Sequence, residues 1–368
     1  MEKLTCTVLV VGGGPAGATA SRELNKLGID NILLEKNLSF NKPCGGGLML
    51  SAYSKFDIPR SLIKKEIHSI KIVSPKLNEA LIDISRYPLT IVDRCEFDAS
   101  LRNLAKNSGS RVIEARAYDI DVENIPTVFA KSDEKEFRIE AKYIIASDGV
   151  NSTIRKKLLN QTPSRILTYY MDIENEQVDS CQFWFGDDIS PQHYSWIFPH
   201  HNGINIGLVG NDKKKIGDYF EKFIKKSKLN MNKNSKIKGY YIPSWDKEIY
   251  FEKNVFFVGD SASMVLPFTY EGIYYAMESA SLAVKAIVKE NPSLYEKEWK
   301  KLYFKKFKFF KMTQKLFLRN DYFSEKLVKL YQKPSFQHSI ISYWIGTKKP
   351  VGKIKTIGKF LKILFSAG

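Results

Sequence analysis

The sequence predicts a mixed α/β (α+β) protein in which a Rossmann-type nucleotide-binding domain is interleaved with an antiparallel-sheet domain and followed by a helical C-terminal region. Three observations carry this. The first 35 residues read strand, glycine turn, helix and strand; residues 164 to 210 return to strand character rich in aromatics; and the last fifth of the chain sets aromatics at helical spacing among lysines.

The opening unit is the most informative. Residues 4 to 11 read L-T-C-T-V-L-V-V and end in Gly12-Gly13-Gly14-Pro15-Ala16-Gly17; a helical stretch follows to Gly28, and Ile32-Leu33-Leu34 closes on Glu35, eighteen residues past the last turn glycine. Gly12 makes the tight turn, Gly14 lets the backbone approach a pyrophosphate, Gly17 lets helix and strand pack, and Glu35 takes the ribose hydroxyls. The helix N-terminus offers free N–H groups to the phosphates. The plain alternative is a loop without ligand, but the flanking strands, the helix and the acid all fall where nucleotide binding needs them. The acid favours an unphosphorylated ribose, hence FAD or NAD over NADP.

With 368 residues and 43% hydrophobic content, the chain can build one large domain or two interleaved ones. The first strand starts at residue 4, leaving no room for a signal peptide, and no run of eighteen apolar residues could span a bilayer, so a cytoplasmic protein is expected. The four cysteines (Cys6, Cys44, Cys95, Cys181) are scattered, against a disulfide framework, and no zinc or other metal site is expected. The net charge of +17 is local: residues 291–368 hold 18 lysines and arginines against four acids.

After Glu35 and Lys36 comes Pro43-Cys44-Gly45-Gly46-Gly47. Three consecutive glycines mark backbone approached closely by something flat or charged, or a mobile surface loop. Cys44 is either a small turn residue or a reactive thiol beside a ligand. Alternating runs over residues 67 to 92 lead to Arg94 at a strand-to-helix junction, from which a guanidinium can reach a phosphate or a ring carbonyl. From Arg111 a small meander ends in a buried strand running into Asp148-Gly149, with Ser152 and Arg155 opening a helix.

Alternation then puts Tyr194, Trp196 and Phe198 on one face, before Pro199, as sheet core or as a substrate wall. Lysine-rich residues 211 to 238 read as a solvated helix with Phe220, Phe223 and Ile224 buried. A third buried strand ends in Gly259-Asp260, followed by Pro267, Glu271, Gly272, Ile273 and an evident helix, whose N-terminus suits an anionic edge of a reduced flavin.

Taken together these residues resemble the geranylgeranyl reductase family of flavoproteins, within the wider class similar to p-hydroxybenzoate hydroxylase. The wider class carries three fingerprints, present here in order at Gly12 to Gly17, Asp148-Gly149 and Gly259-Asp260 across nearly the first 290 residues. The P-C-G-G-G loop and Y-x-W-x-F-P (Tyr194, Trp196, Phe198, Pro199), followed after seven residues by Gly207, point to the reductases; the second glycine falls at Gly210, one residue later than in the family. Flavin halogenases carry a related W-x-W-x-I-P.

The resemblance implies an α/β fold with a Rossmann-type FAD-binding domain at 1–66, 93–163 and 250–290, an antiparallel-sheet substrate domain at 67–92 and 164–249, and a basic helical region at 291–368. It implies FAD as cofactor, contacted by Gly12, Gly14, Pro15, Ala16, Gly17, Glu35, Lys36, Cys44, Gly45, Gly46, Arg94, Ala117, Asp148, Gly149, Asp260, Pro267, Gly272 and Ile273. Gly47, Tyr194, Trp196, Phe198 and Pro199 would line the substrate site, with Cys44, Tyr194 and Trp196 catalytic. The implied reaction is saturation of C=C bonds in a geranylgeranyl or polyprenyl chain of a lipid-like substrate. Cys44, Tyr194 or a water is the proton source.

A second nicotinamide fingerprint is absent, so the external electron donor is either NAD(P)H that binds transiently or a reduced protein carrier. The alternatives are an FAD monooxygenase of an aromatic or lipidic substrate and a non-redox prenyl-lipid-binding flavoprotein.

In the basic tail, Trp299, Tyr303, Phe307 and Phe310 fall on one helical face with lysines 300, 301, 305, 308 and 311 around them, read as a solvated face packed on the core. Ile354, Ile357, Leu361 and Phe365, with Lys355, Lys359 and Lys362, form a basic amphipathic helix expected to lie on an anionic membrane, peripheral on its inner face. No nucleic acid is expected, since no recognition fold adjoins the charge. Head group, number of double bonds reduced, electron donor and oligomeric state are not encoded legibly.

Overall fold

The computed structural model describes residues 1–345 other than 201, 211, 213, 230–235 and 247. Its first strand, Glu2–Val11, is exposed at the start and buried over Val8–Val11, so the end that meets the glycine turn is covered on both faces, as a parallel strand requires. Helix Pro15–Lys26 carries the chain over to Asn31–Glu35, with Pro15 at the first turn, where a missing N–H costs nothing. On its other side Glu2–Val11 pairs in parallel with Glu136–Ala146.

Glu136–Ala146 serves two neighbours. Its first five residues pair antiparallel with Thr127–Lys131, which hairpins with Arg116–Asp121, and its last three pair in parallel with Val255–Phe257. The result is an eight-stranded sheet running Phe251–Glu252, Val255–Phe257, Glu136–Ala146, Glu2–Val11, Asn31–Glu35, Arg111–Glu114, with the hairpin to one side. Strand order switches direction between Glu2–Val11 and Glu136–Ala146, which opens a crevice at their C-terminal ends.

A seven-stranded sheet runs Lys238–Pro243, Arg165–Glu174, Gly203–Val209, Ser195–His200, Cys181–Trp184, Ser69–Val73, Glu79–Asp83. All its pairings are antiparallel save Cys181–Trp184 with Ser69–Val73. One face buries Ile197 and Ile206 against Phe220 and Phe223 of helix Ile216–Ser227, a second and smaller core. Gly47–Met49, Leu89–Ile91 and Lys65–Ile67 form a short third sheet. Segment 67–92 therefore divides: Ser69–Val73 and Glu79–Asp83 join the seven-stranded sheet, whereas Leu89–Ile91 pairs with the end of the Cys44 loop.

Beyond residue 291 the chain is helical: Ser293–Trp299, a π-helical turn Lys300–Phe304, Lys305–Phe317, Asp321–Tyr331 and Pro334–Trp344. Trp299 and Phe307 are fully buried and Phe310 nearly so, while lysines 300, 301, 305 and 308 face solvent. The expected membrane helix at 350–365 lies outside the described residues. Among the described residues no helix is long and apolar enough to cross a membrane.

Candidate active site

The three glycine turns converge at the switch point. Gly12 takes φ +103° and lies so close to Ser147 that a Cβ would fall 2.4 Å from its carbonyl oxygen; a Cβ on Gly17 would fall 1.8 Å from Gly12 O. Both are therefore fixed by packing. Gly14 differs, since a Cβ there would meet nothing within 4 Å. That open space belongs to a groove of about 300 Å³. Gly12, Gly14, Pro15, Ala16, Glu35, Lys36, Ala117, Asp148, Gly149 and Asp260 all line it.

Within the groove Glu35 is folded onto its own turn: Oε2 accepts from Gly13 N–H at 2.5 Å and Oε1 from Asn37 N–H at 3.0 Å. Asp148 does local structural duty. Its Oδ1 accepts from Ser152 Oγ at 2.6 Å and its Oδ2 from Ile154 N–H at 3.0 Å, while burial raises its pKa from the ordinary carboxylate value. Helix Thr153–Leu159 is thereby capped, and Arg155 on it donates to Ser261 O at 2.8 Å, tying the second turn to the third. Asp260 pairs with Lys42 Nζ at 2.5 Å.

The other expected cofactor residues gather apart from the groove lining. Arg94 is buried and makes a two-pronged bond to Asp98, Nε to Oδ1 at 3.0 Å and Nη2 to Oδ2 at 2.7 Å, with the Cys44 thiol as a further partner. Burial opposes its charge, but Asp98 and Cys44 outweigh it and raise its pKa. Gly272 precedes helix Ile273–Val288, whose N-terminus has no side-chain cap and so leaves N–H groups available. Pro267 is buried in the loop ahead of it, where its carbonyl accepts from Thr269 N–H at 3.0 Å.

The Cys44 loop meets the aromatic strand some 150 residues away. A Cβ on Gly45 would fall 2.3 Å from the Phe198 ring, and one on Gly46 would fall 2.4 Å from Val92 O. Along Ser195–His200 burial alternates. Ser195, Ile197 and Pro199 turn inward to the smaller core, leaving Trp196 and Phe198 half-buried on the face that Tyr194 shares. Rings on that face are edge-packed, with Phe183 centred 5.0 Å from Tyr194 and 5.3 Å from Phe198.

Trp196 lies across its cross-strand partner Gly207, where any Cβ would fall 2.1 Å from the indole, and its Nε1 donates to Asn205 Oδ1 at 2.8 Å. The glycine of the motif is thus the seat of the tryptophan. Gly210 has no such constraint, its nearest neighbours standing at ordinary contact distance, so the shifted second glycine disturbs nothing.

Phe183 also lines an apolar cavity beyond the wall. Ile70, Ile72 and Phe185 form its floor and Phe310, Leu327, Ile340 and Trp344 of the C-terminal helices its roof, with Thr269 at one end. Tyr194 OH donates to Thr269 O at 2.9 Å, joining strand and cavity.

Sequence reasoning missed Arg102 and Lys42. Arg102 lines the groove, donating to Gly13 O at 3.2 Å and Leu38 O at 2.6 Å. The signal was present, since Arg94, Asp98 and Arg102 lie four residues apart on one helical face. Lys42 carried none, because its partner Asp260 is 218 positions away.

The groove fits an extended dinucleotide: a carboxylate at one end, bare backbone at Gly14, a helix N-terminus, and basic Lys42 and Arg102 on its walls. The profile of an FAD binding domain matches residues 5–46, and that of the geranylgeranyl reductase catalytic domain matches residues 164–241. The geranylgeranyl diphosphate reductase of Synechocystis is 28% identical over 96% of this chain and 98% of its own length. The digeranylgeranylglycerophospholipid reductase of Methanosarcina acetivorans is 28% identical over 80% of each.

Among solved structures, a geranylgeranyl bacteriochlorophyll reductase-like protein from Thermoplasma acidophilum aligns at a TM-score of 0.81, with 24% identity, over 92% of this chain and 96% of its own. A flavin-dependent brominase aligns at 0.72 and 15% identity, over 93% of this chain and 94% of its own; both are likenesses of fold. With two profiles on the two halves of the site and relatives of similar length, the chain is an FAD-dependent oxidoreductase that resembles the geranylgeranyl reductases.

Proposed function

We propose that the protein saturates C=C bonds of a geranylgeranyl or polyprenyl chain on a lipid-like substrate. The observation that carries this is the apolar cavity lined in part by Phe183, whose ring also packs on Tyr194 and Phe198 of the wall that meets the Cys44 loop. A chain without polar atoms needs such a container, and the named activities of the relatives from Synechocystis and Methanosarcina acetivorans agree with it. The cavity is closed down to about 50 Å³, below the usual range of a ligand site of about 300 to 1,000 Å³. A prenyl chain enters by parting the C-terminal helices from the sheet.

Once bound and reduced, FAD supplies a hydride. The chain's own residues would do the rest. Arg94 and Asp98 hold the Cys44 loop in place, Gly45 lets that loop seat on Phe198, and the rings of Tyr194, Trp196 and Phe198 exclude water and face developing positive charge on the alkene. Pro199, expected to line the substrate site, turns instead to the smaller core with Ser195 and Ile197, while Gly47 would border the substrate from the end of the Cys44 loop.

We place the action at a membrane surface. Leu302, Phe304 and Met312 are exposed on the lysine-rich helical stretch, ahead of the basic segment 346–368. The test of the reaction is anaerobic incubation of photoreduced protein with a geranylgeranyl lipid. A gain of two hydrogens per double bond is expected, and unchanged lipid mass refutes the reading. Substrate-triggered oxygen uptake would point instead to a monooxygenase.

A further inference from the structure

Glu271 stands one residue ahead of Gly272. Its carbonyl accepts from Leu266 N–H at 3.0 Å, closing the loop that carries Pro267 to Tyr270. Its side chain is turned inward, and Oε2 is sealed from solvent with no hydrogen-bond partner among the described residues. Thr269 Oγ1 and Tyr275 OH share that condition. Four separate elements bring ionisable or polar groups towards Glu271: Tyr194 on the wall, Tyr275 on its own helix, Lys306 on helix Lys305–Phe317 and Trp344 on helix Pro334–Trp344. Thr269 and Trp344 line the apolar cavity, and Tyr194 borders it through Thr269. Glu271 thus lies where the aromatic wall and the apolar cavity join.

Lys306 is tethered there. Its Nζ donates to Trp344 O at 2.5 Å and sits 5.6 Å above the Tyr275 ring. Burial pushes the Glu271 carboxyl up to about 7, with Lys306 and Trp344 pulling the other way. Burial likewise pulls Lys306 down to about 8, with Glu271 opposing. Tyr194 on the wall is a poorer acid. Tyr194 has committed its hydrogen to Thr269 O, and burial holds its phenol well above 10. An alkene is a weak base, so protonating it calls for an acid that stays protonated near neutral pH in a dry site.

We propose that Glu271 is the proton donor of the reduction, with Lys306 as the positioning residue that receives its negative charge. The proposal rests on the prenyl-reduction reading. One alkene carbon takes a hydride from the reduced flavin. The π pair forms the C–H bond at the neighbouring carbon with the carboxyl proton of Glu271, whose O–H bond breaks and leaves its pair on oxygen. The carboxylate then faces the Lys306 ammonium, and a solvent proton restores it.

Two measurements on the FAD-loaded protein decide this. The infrared carbonyl band of a protonated carboxylic acid should vanish as pH rises through about 7, be missing in Glu271→Gln, and persist to higher pH in Lys306→Met. In anaerobic single turnover, Glu271→Gln should saturate a geranylgeranyl lipid at least about 100-fold more slowly than wild type with equal FAD content, and Glu271→Asp should recover part of the rate. A wild-type rate in Glu271→Gln, or a band unmoved by either substitution, overturns the proposal alone. Lipid left unchanged by wild type overturns the underlying reading and the proposal with it.

Discussion

At the scale of single residues, the glycines of the first turn separate into two kinds with opposite consequences. Gly17→Ala places a methyl 1.8 Å from Gly12 O and should prevent folding, whereas Gly14→Ala fills only open groove. The latter variant should melt within about 2 °C of wild type as apoprotein, since it meets nothing, while its FAD affinity falls at least about tenfold; calorimetry and flavin titration check both. Gly207→Ala should displace the Trp196 indole and cost about 1–3 kcal/mol, read by urea unfolding and a shift in tryptophan emission. His193 gives a pH test. Gln314 donates to Tyr270 OH at 2.7 Å, and the same hydroxyl lies in hydrogen-bond contact with His193 Nδ1 at 2.9 Å. Burial and Lys311 pull His193 from 6.5 down to about 4. The unfolded chain therefore takes the proton first: the contribution is full above pH 6.5 and is lost as pH falls towards 4, at most about 3 kcal/mol. Urea titrations should show that slope in wild type and a flatter one in His193→Gln.

At the scale of elements, what the sequence disclosed follows from how local each rule is. Strand–turn–helix at Gly12 to Gly17, Asp-Gly before a capped helix and Gly-Asp before Ile273–Val288 each sit within a dozen residues, and all three were legible. So was the face shared by Tyr194, Trp196 and Phe198, because strand alternation has a period of two. The role of Gly207 was hidden, since it depends on a partner across the ladder. The division of segment 67–92 between two sheets was hidden too, because Leu89–Ile91 follows the strand Gly47–Met49 that it pairs with, not its own apolar pattern. At Asp148 the carboxylate works for its element: Asp148→Asn should weaken the cap on helix Thr153–Leu159 and cost about 1 kcal/mol of apoprotein stability by chemical unfolding.

At the scale of the molecule, the chain builds a groove for a dinucleotide from one sheet and a container for an apolar chain from another sheet and the C-terminal helices. The basic charge concentrated after residue 291 shares those helices, whose inner sides roof the cavity. On the proposal that the protein docks on a membrane, docking would be electrostatic: liposome sedimentation with anionic vesicles should fall sharply with salt and on deleting residues 346–368. Binding insensitive to both would remove the membrane from the account. The cavity itself escaped sequence reading because its lining is drawn from positions 70 to 344, each locally an ordinary core residue.

The two-sided strand Glu136–Ala146 has a consequence for how the protein is made. Its last three residues find their parallel partner, Val255–Phe257, 111 positions downstream. Pairings of that separation must close a long loop before they return any contact energy, and they slow folding. A nascent chain that has emerged only as far as residue 250 lacks this strand, Asp260 and the helix from Ile273, and so one whole bank of the groove. Flavin capture accordingly waits until most of the polypeptide has been synthesised, and the first thirty-five residues, which announce the nucleotide, can hold it only after residues 255 to 276 have arrived.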